Sequence, residues 1–266
     1  MLTFVGLGLW DEKDITVRGL EAVKQADYVF LECYTGVLSV PVSKLRRVFE
    51  KNIILANRTM VEQEADEILD KAVDKNVVFL VVGDPFAATT HTDLLLRAVE
   101  RNIECHTVHN SSIFTAIGST GLQLYKFGKT TSLVIPEENW CPETAYEVIK
   151  QNKEKGLHTL ILLDIKIDFD RTYEPTKKFT EDESFRFMKI DDAVKLLLEI
   201  EARRGENVFE AGTMCIGCAR LGTNKQTIKY AEAQELERLD FGEPLHCLIV
   251  PGELHFIEEK VLELFK

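Results

Sequence analysis

The chain has 266 residues, 45% of them hydrophobic and 29% charged, enough to bury one large core or two modest ones. Fifteen phenylalanines against seven prolines argue against a disordered chain. A net charge of −12 repels phosphate backbones, so no nucleic-acid partner is expected, and no apolar run reaches membrane-spanning length.

Met1 to Trp10 has no basic region ahead of its apolar stretch, which Gly6 and Gly8 interrupt; it reads as a strand and not as a signal peptide. The strand is expected over Leu2 to Leu9. Val17, Leu20 and Val23 then recur at helical spacing, Tyr28 to Leu31 is a short strand, and Pro41 opens a helix carrying Leu45 and Val48. After a strand at Ile53 to Leu55, Thr59 and Glu62 form a capping-box pattern ahead of a helix with Ala65, Ile68, Leu69 and Ala72. Val77 to Val82 is an unbroken apolar run, expected of a central strand buried on both faces. Thr92 is placed to cap a helix carrying Leu95, Leu96 and Val99. Such alternation predicts an α/β chain with a parallel sheet.

The chain changes texture near Tyr125 to Lys129, which places a domain boundary there and divides it into α/β domains 1–126 and 127–266. Strands are expected at Ser132 to Ile135, Thr159 to Leu163, Thr213 to Leu221, Ile228 to Ala231 and Leu245 to Val250. Helices are expected at Thr144 to Asn152, at Asp191 to Arg203 before Gly205, and at Glu253 to Phe265. The charged stretch Asp164 to Lys189 reads as a long loop or ragged hairpin.

Several motifs sit at strand ends. Gly6-Leu7-Gly8 lets a ligand approach the first turn, but a dinucleotide fingerprint needs a third glycine where Asp11 stands, which favours a ligand without phosphates. Gly83-Asp84-Pro85-Phe86-Ala87-Ala88-Thr89-Thr90-His91 follows the most apolar strand, where α/β sheets collect ligands. Asp84 is expected to bind ligand while contributing little to stability. His109-Asn110-Ser111-Ser112-Ile113 mixes capping residues with site candidates. Ala219-Arg220-Leu221-Gly222 and Pro244-Leu245-His246 are weak alone. Cys215 and Cys218 form one CxxC with no second pair, so buried thiols are expected and not zinc. The six cysteines (33, 105, 141, 215, 218 and 247) are scattered through a chain too large to need staples, pointing to reduced thiols in the cytosol.

Taken in order, GLGLWDEKDITVRGLEAVKQADYVFLE, GDPFAATTHTDLLLRA, GLQLYKFG, GLHTLILLDIK, CARLG and GEPLH resemble the diphthine synthase family, within the tetrapyrrole methylase class. The resemblance covers essentially the whole chain. It implies a two-domain tetrapyrrole methylase-like α/β fold with S-adenosylmethionine in the interdomain cleft, a homodimer, and elongation factor 2 as protein substrate. It carries the cofactor contacts onto Leu9, Asp84, Ala87, Ser112, Ile113, Leu163, Leu221 and His246, with Ala87 standing where a larger Met or Val is expected. The implied reaction methylates a 3-amino-3-carboxypropyl group on a histidine. The Glu138-Asn139-Trp140 region and GLHTLILLDIK look like the eukaryotic branch, which implies four transfers and a methyl ester. His91 and His246 are weak candidates for a base, and Asp164 with Lys166 could meet the amine and carboxylate of the acceptor. Methylation of a tetrapyrrole and non-enzymatic ligand binding are the alternatives.

Overall fold

The computed structural model describes residues 1–138, 140–167 and 185–266. Contacts divide the chain into two units, Met1–Thr115 with Lys166–Phe185, and Ala116–Ile165 with Arg186–Lys266.

The first unit is built on strands β1 (Leu2–Gly6), β2 (Tyr28–Glu32), β3 (Ile53–Ala56), β4 (Val77–Val81) and β5 (Cys105–Val108), paired in parallel in the order β3-β2-β4-β1-β5. Alternate residues of each strand feed two cores. Phe4, Phe30, Val77, Phe79 and Val81 lie on one side, and Val5, Val29, Leu31, Val78 and Leu80 on the other. Burial of both faces explains the unbroken apolar run of β4. Helices α1 (Val17–Gln25) and α2 (Val42–Phe49) cover the second core. Helices α3 (Arg58–Glu62), α4 (Asp66–Asp74) and α5 (Thr92–Glu100) cover the first.

Local sequence signals hold in part. β1 stops at Gly6, short of Leu9, because Gly8 turns the chain at φ 78°. The expected cap at Thr59 is corrected: Thr59 lies inside α3, and the Asn57 side chain accepts from Met60 N at 2.8 Å. α5 buries only part of its apolar set. Leu94 and Ala98 are buried, whereas Leu96 and Val99 are each 55% exposed. Three consecutive leucines at 94–96 span most of a turn, so spacing alone does not select the face.

A short helix α6 (Ile113–Ala116) follows β5. The second unit contains β6 (Thr131–Leu133), β7 (Thr159–Leu163) and helix α7 (Thr144–Lys153). A two-stranded ribbon, β8 (Ile165–Ile167) with β9 (Phe185–Phe187), supplies the ends of the expected hairpin; 168–184 lie outside the described residues, as does Asn139. Helix α8 (Ile190–Arg204) ends on Gly205 at φ 63°. Strands β10 (Met214–Ala219) and β11 (Thr227–Glu232), helix α9 (Ala233–Leu236), strand β12 (His246–Val250) and helix α10 (Phe256–Leu262) complete the chain. The sheet order is β11-β10-β12-β7-β6, with only the β6–β7 pair parallel. The helix expected from Glu253 begins later, because His255 caps it in a capping box with Glu258.

Two glutamates of the second unit are held as carboxylates. For Glu258, burial raises the pKa, but donors on His255 N, Gln123 N, Lys126 and His158 outweigh it and hold the carboxyl at about 2. For Glu201, burial is likewise outweighed by the backbone donors of Phe209, Asn207 and Val208 and the Tyr146 hydroxyl, again giving about 2. Both groups bind a proton more weakly folded than unfolded, so acid favours unfolding. Their contribution is complete above the ordinary value of 4.5 and is lost as pH falls toward about 2. Urea unfolding between pH 6 and roughly pH 3 should show falling stability, and Glu258→Gln should flatten that slope. An unchanged slope in the variant would remove Glu258 as its source.

Candidate functional site

The order of the first sheet contains one reversal. From β1 the chain crosses β4 to reach β2, with α1 on one face; from β4 it crosses β1 to reach β5, with α5 on the other. Connections leaving neighbouring strands in opposite directions open a crevice at their carboxyl ends, where α/β sheets hold ligands. The loops there are Leu7–Trp10 and Gly83–His91. Leu9, Asp84 and Ala87 therefore lie at the switch point, and Ser112 and Ile113 follow β5 on the same edge of the sheet.

Glycine sets how closely these loops approach. Gly8 and Gly83 exchange backbone hydrogen bonds of 3.2 and 2.7 Å, both with positive φ. A Cβ at Gly8 would sit 2.6 Å from the Cβ of Asp14, so this glycine makes room for Asp14. Asp14 Oδ2 accepts from Leu9 N at 3.2 Å and Trp10 N at 2.8 Å. Asn110 Nδ2 donates to the carbonyls of Gly6 and Asp14, both at 2.9 Å. In a dinucleotide site the N–H groups of this turn would face a phosphate. Here a carboxylate occupies them, which agrees with a ligand lacking phosphates. Asp14 was invisible as a site residue because only its place on the folded turn gives it a role.

Asp84 joins the ends of β4 and β5. Its Oδ1 accepts from Phe86 N at 3.0 Å, and its Oδ2 from Asn110 N at 3.1 Å and from His109 Nδ1 at 2.8 Å. The loop that begins at Asp84 ends in a buried pair. His91 is fully buried, its ring edge-on to Phe79 and Tyr34, with Nε2 3.8 Å from Glu32 Oε2. Burial pushes Glu32 up to about 7 against the hydrogen bonds it accepts from Thr35 and Tyr34, and pushes His91 down to about 4. His91 therefore anchors the loop from inside, and burial removes it as a base for an external acceptor.

The antiparallel register of the second sheet gathers the other three candidates. His246 opens β12 opposite Ala219, the last residue of β10, and Cys247 lies opposite Leu162 on β7. Leu163 closes β7 at the end of the sheet where His246 opens β12, and Leu221 follows the end of β10; each is at least nine-tenths buried. His246 also lines a cavity of about 250 Å³ with Lys189, Asp191, Arg238 and Phe241. Its Nε2 is 3.1 Å from the Glu243 carbonyl, and its buried Nδ1 has no partner among the described residues. Asp164, which follows β7, is tied to the segment after β6, its Oδ2 accepting from Ile135 N at 3.0 Å. Cys215 and Cys218 are buried on a strand, and residues three apart on a strand face opposite sides.

A model of the Tetrapyrrole (Corrin/Porphyrin) Methylases matches residues 1–237. The chain belongs to the tetrapyrrole methylase family. It is 46% identical to the diphthine synthase of Methanocaldococcus jannaschii, covering 99% of this chain and 98% of that one. It is 46% identical to the diphthine methyl ester synthase of Bos taurus, covering 100% and 95%, and 44% identical to that of Dictyostelium discoideum, covering 100% and 98%. A crystal structure of diphthine synthase superposes with a TM-score of 0.85 at 35% identity, covering 99% and 95%. The chain is thus an enzyme, a methyltransferase that draws on a methyl donor. Among the described residues no helix is long and apolar enough to cross a membrane.

In this methylase Asp84 carries three internal hydrogen bonds, so the expectation that it contributes little to stability is corrected. Asp84→Ala should lower the unfolding free energy by roughly 1.5–3 kcal/mol, the worth of hydrogen bonds to a charged group. Urea denaturation measures this; unfolding at the wild-type midpoint would show that the three bonds contribute nothing net.

Proposed function

We propose that the chain is an S-adenosylmethionine-dependent methyltransferase of diphthamide biosynthesis that acts on the 3-amino-3-carboxypropyl group carried by a histidine of elongation factor 2. Identity of 44–46% along the whole chain with proteins named diphthine synthase and diphthine methyl ester synthase carries this reading. The diphthine name on each of these relatives favours protein modification over methylation of a tetrapyrrole. The cofactor is assigned to Leu9, Asp84, Ala87, Ser112, Ile113, Leu163, Leu221 and His246. The division into domains 1–126 and 127–266, a homodimer and a cytosolic location belong to the same proposal.

The residues fit such a donor. Asp14 leaves the first turn with no free phosphate cradle. Leu9, Ala87, Ile113, Leu163 and Leu221 offer apolar surface, and the Nδ1 of His246 offers a buried acceptor. When bound, the donor supplies a methyl group already activated by a sulfonium. What remains for the protein is to hold the acceptor amine in line with that methyl, so proximity and orientation supply the acceleration. The amine reacts in its free form, while the ammonium dominates at neutral pH. Its proton leaves to water or to a base other than the buried His91. The eukaryote-like GLHTLILLDIK string supports four transfers, one of them esterifying the carboxylate.

Incubation of elongation factor 2 bearing the unmethylated intermediate with this protein and S-adenosylmethionine, followed by mass spectrometry of the modified peptide, tests the proposal. The expected product gains four methyl groups, one of them lost on mild alkaline hydrolysis of the ester. A product with three alkali-stable methyl groups would remove the ester step, and an unmodified peptide would contradict the assignment.

A further inference from the structure

Arg220 belongs to the Ala219-Arg220-Leu221-Gly222 motif, yet the assigned reaction gives its charge nothing to do. It sits in the left-handed region at φ 50°, unusual for a residue with a Cβ. A long cationic side chain held in that conformation needs firm partners, and Arg220 has them on three segments. Its backbone N–H donates to Leu245 O at 2.9 Å. Its Nε donates to Lys225 O at 3.1 Å and its Nη2 to Thr227 Oγ1 at 3.2 Å, closing the β10–β11 turn. Its Nη1 donates to the carbonyls of Phe241 (2.8 Å) and Glu243. Gly242 lies between those two carbonyls, and a Cβ there would come 3.3 Å from Nη1. The guanidinium fork thus fixes the path of the 241–245 loop.

The Glu243 carbonyl is shared. It also meets His246 Nε2 at 3.1 Å. A carbonyl only accepts, so Nε2 carries the proton. Burial lowers the pKa of His246, and although the Glu243 and Gly242 backbone contacts oppose this, the charges of Arg220 and Lys189 add to the lowering. A neutral ring protonated on Nε2 has its lone pair on Nδ1, the buried atom without a partner among the described residues. The ring is further held by Phe241, with centroids 6.0 Å apart at 61°. Gly217 leaves the space for that phenyl ring, since a Cβ there would lie 2.4 Å from Phe241 Cζ.

We propose that Arg220 is a positioning residue: it pins the Glu243 carbonyl that selects the Nε2–H tautomer of His246, leaving Nδ1 as the acceptor for an N–H or O–H donor of the cofactor. The inference rests on the assignment of His246 to the cofactor and adds how its acceptor is made. It also gives a chemical selectivity, because an Nδ1 lone pair rewards a donor and penalises a ligand acceptor placed opposite it.

Long-range proton–nitrogen NMR of the full chain labelled at histidine nitrogens reads the tautomer directly, with His246 assigned by comparison with His246→Asn. The wild type should show a protonated Nε2 and an unprotonated Nδ1, and S-adenosylhomocysteine should move the Nδ1 resonance as its lone pair accepts a hydrogen bond. Folded Arg220→Met should populate both tautomers and bind S-adenosylhomocysteine about tenfold more weakly, equivalent to about 1.4 kcal/mol. A protonated Nδ1 in the wild type overturns the proposal whether or not the variant folds. So does a folded Arg220→Met with the wild-type tautomer and affinity. A tautomer that responds to Arg220→Met but an Nδ1 resonance indifferent to S-adenosylhomocysteine would overturn the assignment of His246 to the cofactor and not the link from Arg220.

Discussion

At the carboxyl edge of the parallel sheet, a single carboxylate holds the end of β4 against the end of β5. Asp84 takes donors from Phe86, Asn110 and His109, and Asn110 in turn reaches back to the carbonyls of Gly6 and Asp14 beyond β1. Three strand ends are thereby tied into one network. A sheet of this topology opens a crevice at the reversal whatever its sequence, but the loops at that point must be held still to present backbone and apolar surface to a ligand. Acceptor groups supplied by Asp84 and Asp14 do this through bonds within the chain, and they occupy turn N–H groups that a phosphate would otherwise take.

The second unit solves the same problem with the opposite charge. There a cation, Arg220, gathers carbonyls in place of the N–H groups gathered by Asp84 and Asp14. The difference follows from the backbone. The turns of the parallel sheet leave N–H groups of Leu9, Trp10, Phe86 and Asn110 for a carboxylate to accept, whereas the 241–245 loop leaves the carbonyls of Phe241 and Glu243 for a cation. In each unit a buried histidine packs against phenylalanine near the loop, His91 on Phe79 and His246 on Phe241. They differ in consequence: His91 is fully buried beside Glu32, while His246 lines a cavity with its Nδ1 unpartnered among the described residues.

Much of this was legible in the residues. The apolar run of β4, the glycine stop after α8 and the alternation of elements in the first unit follow from burial and capping rules that act over a few residues. The strings at strand ends carried the family, and the structure places Leu9, Asp84 and Ala87 where the chain reverses direction. What spacing did not supply depends on contacts distant in sequence. The face of α5 is chosen by packing of Leu94 and Ala98, because three adjacent leucines satisfy more than one helical stripe. The helix after Asn57 breaks in two where a single one was expected. The bond from Ile135 N to the Asp164 carboxylate likewise joins segments 29 residues apart and left no local signal. Arg220 was a weak letter in a weak motif; its role exists only once the turn and the 241–245 loop meet.

The proposal that this methyltransferase binds an adenosyl methyl donor through the assigned residues depends on where that donor sits. A crystal structure of the protein with S-adenosylhomocysteine tests it most directly. The ligand is expected in contact with Leu9, Asp84, Ala87, Ser112, Ile113, Leu163, Leu221 and His246, with an N–H or O–H donor within hydrogen-bond distance of His246 Nδ1. A ligand bound elsewhere, or one that presents an acceptor to His246 Nδ1, would contradict it.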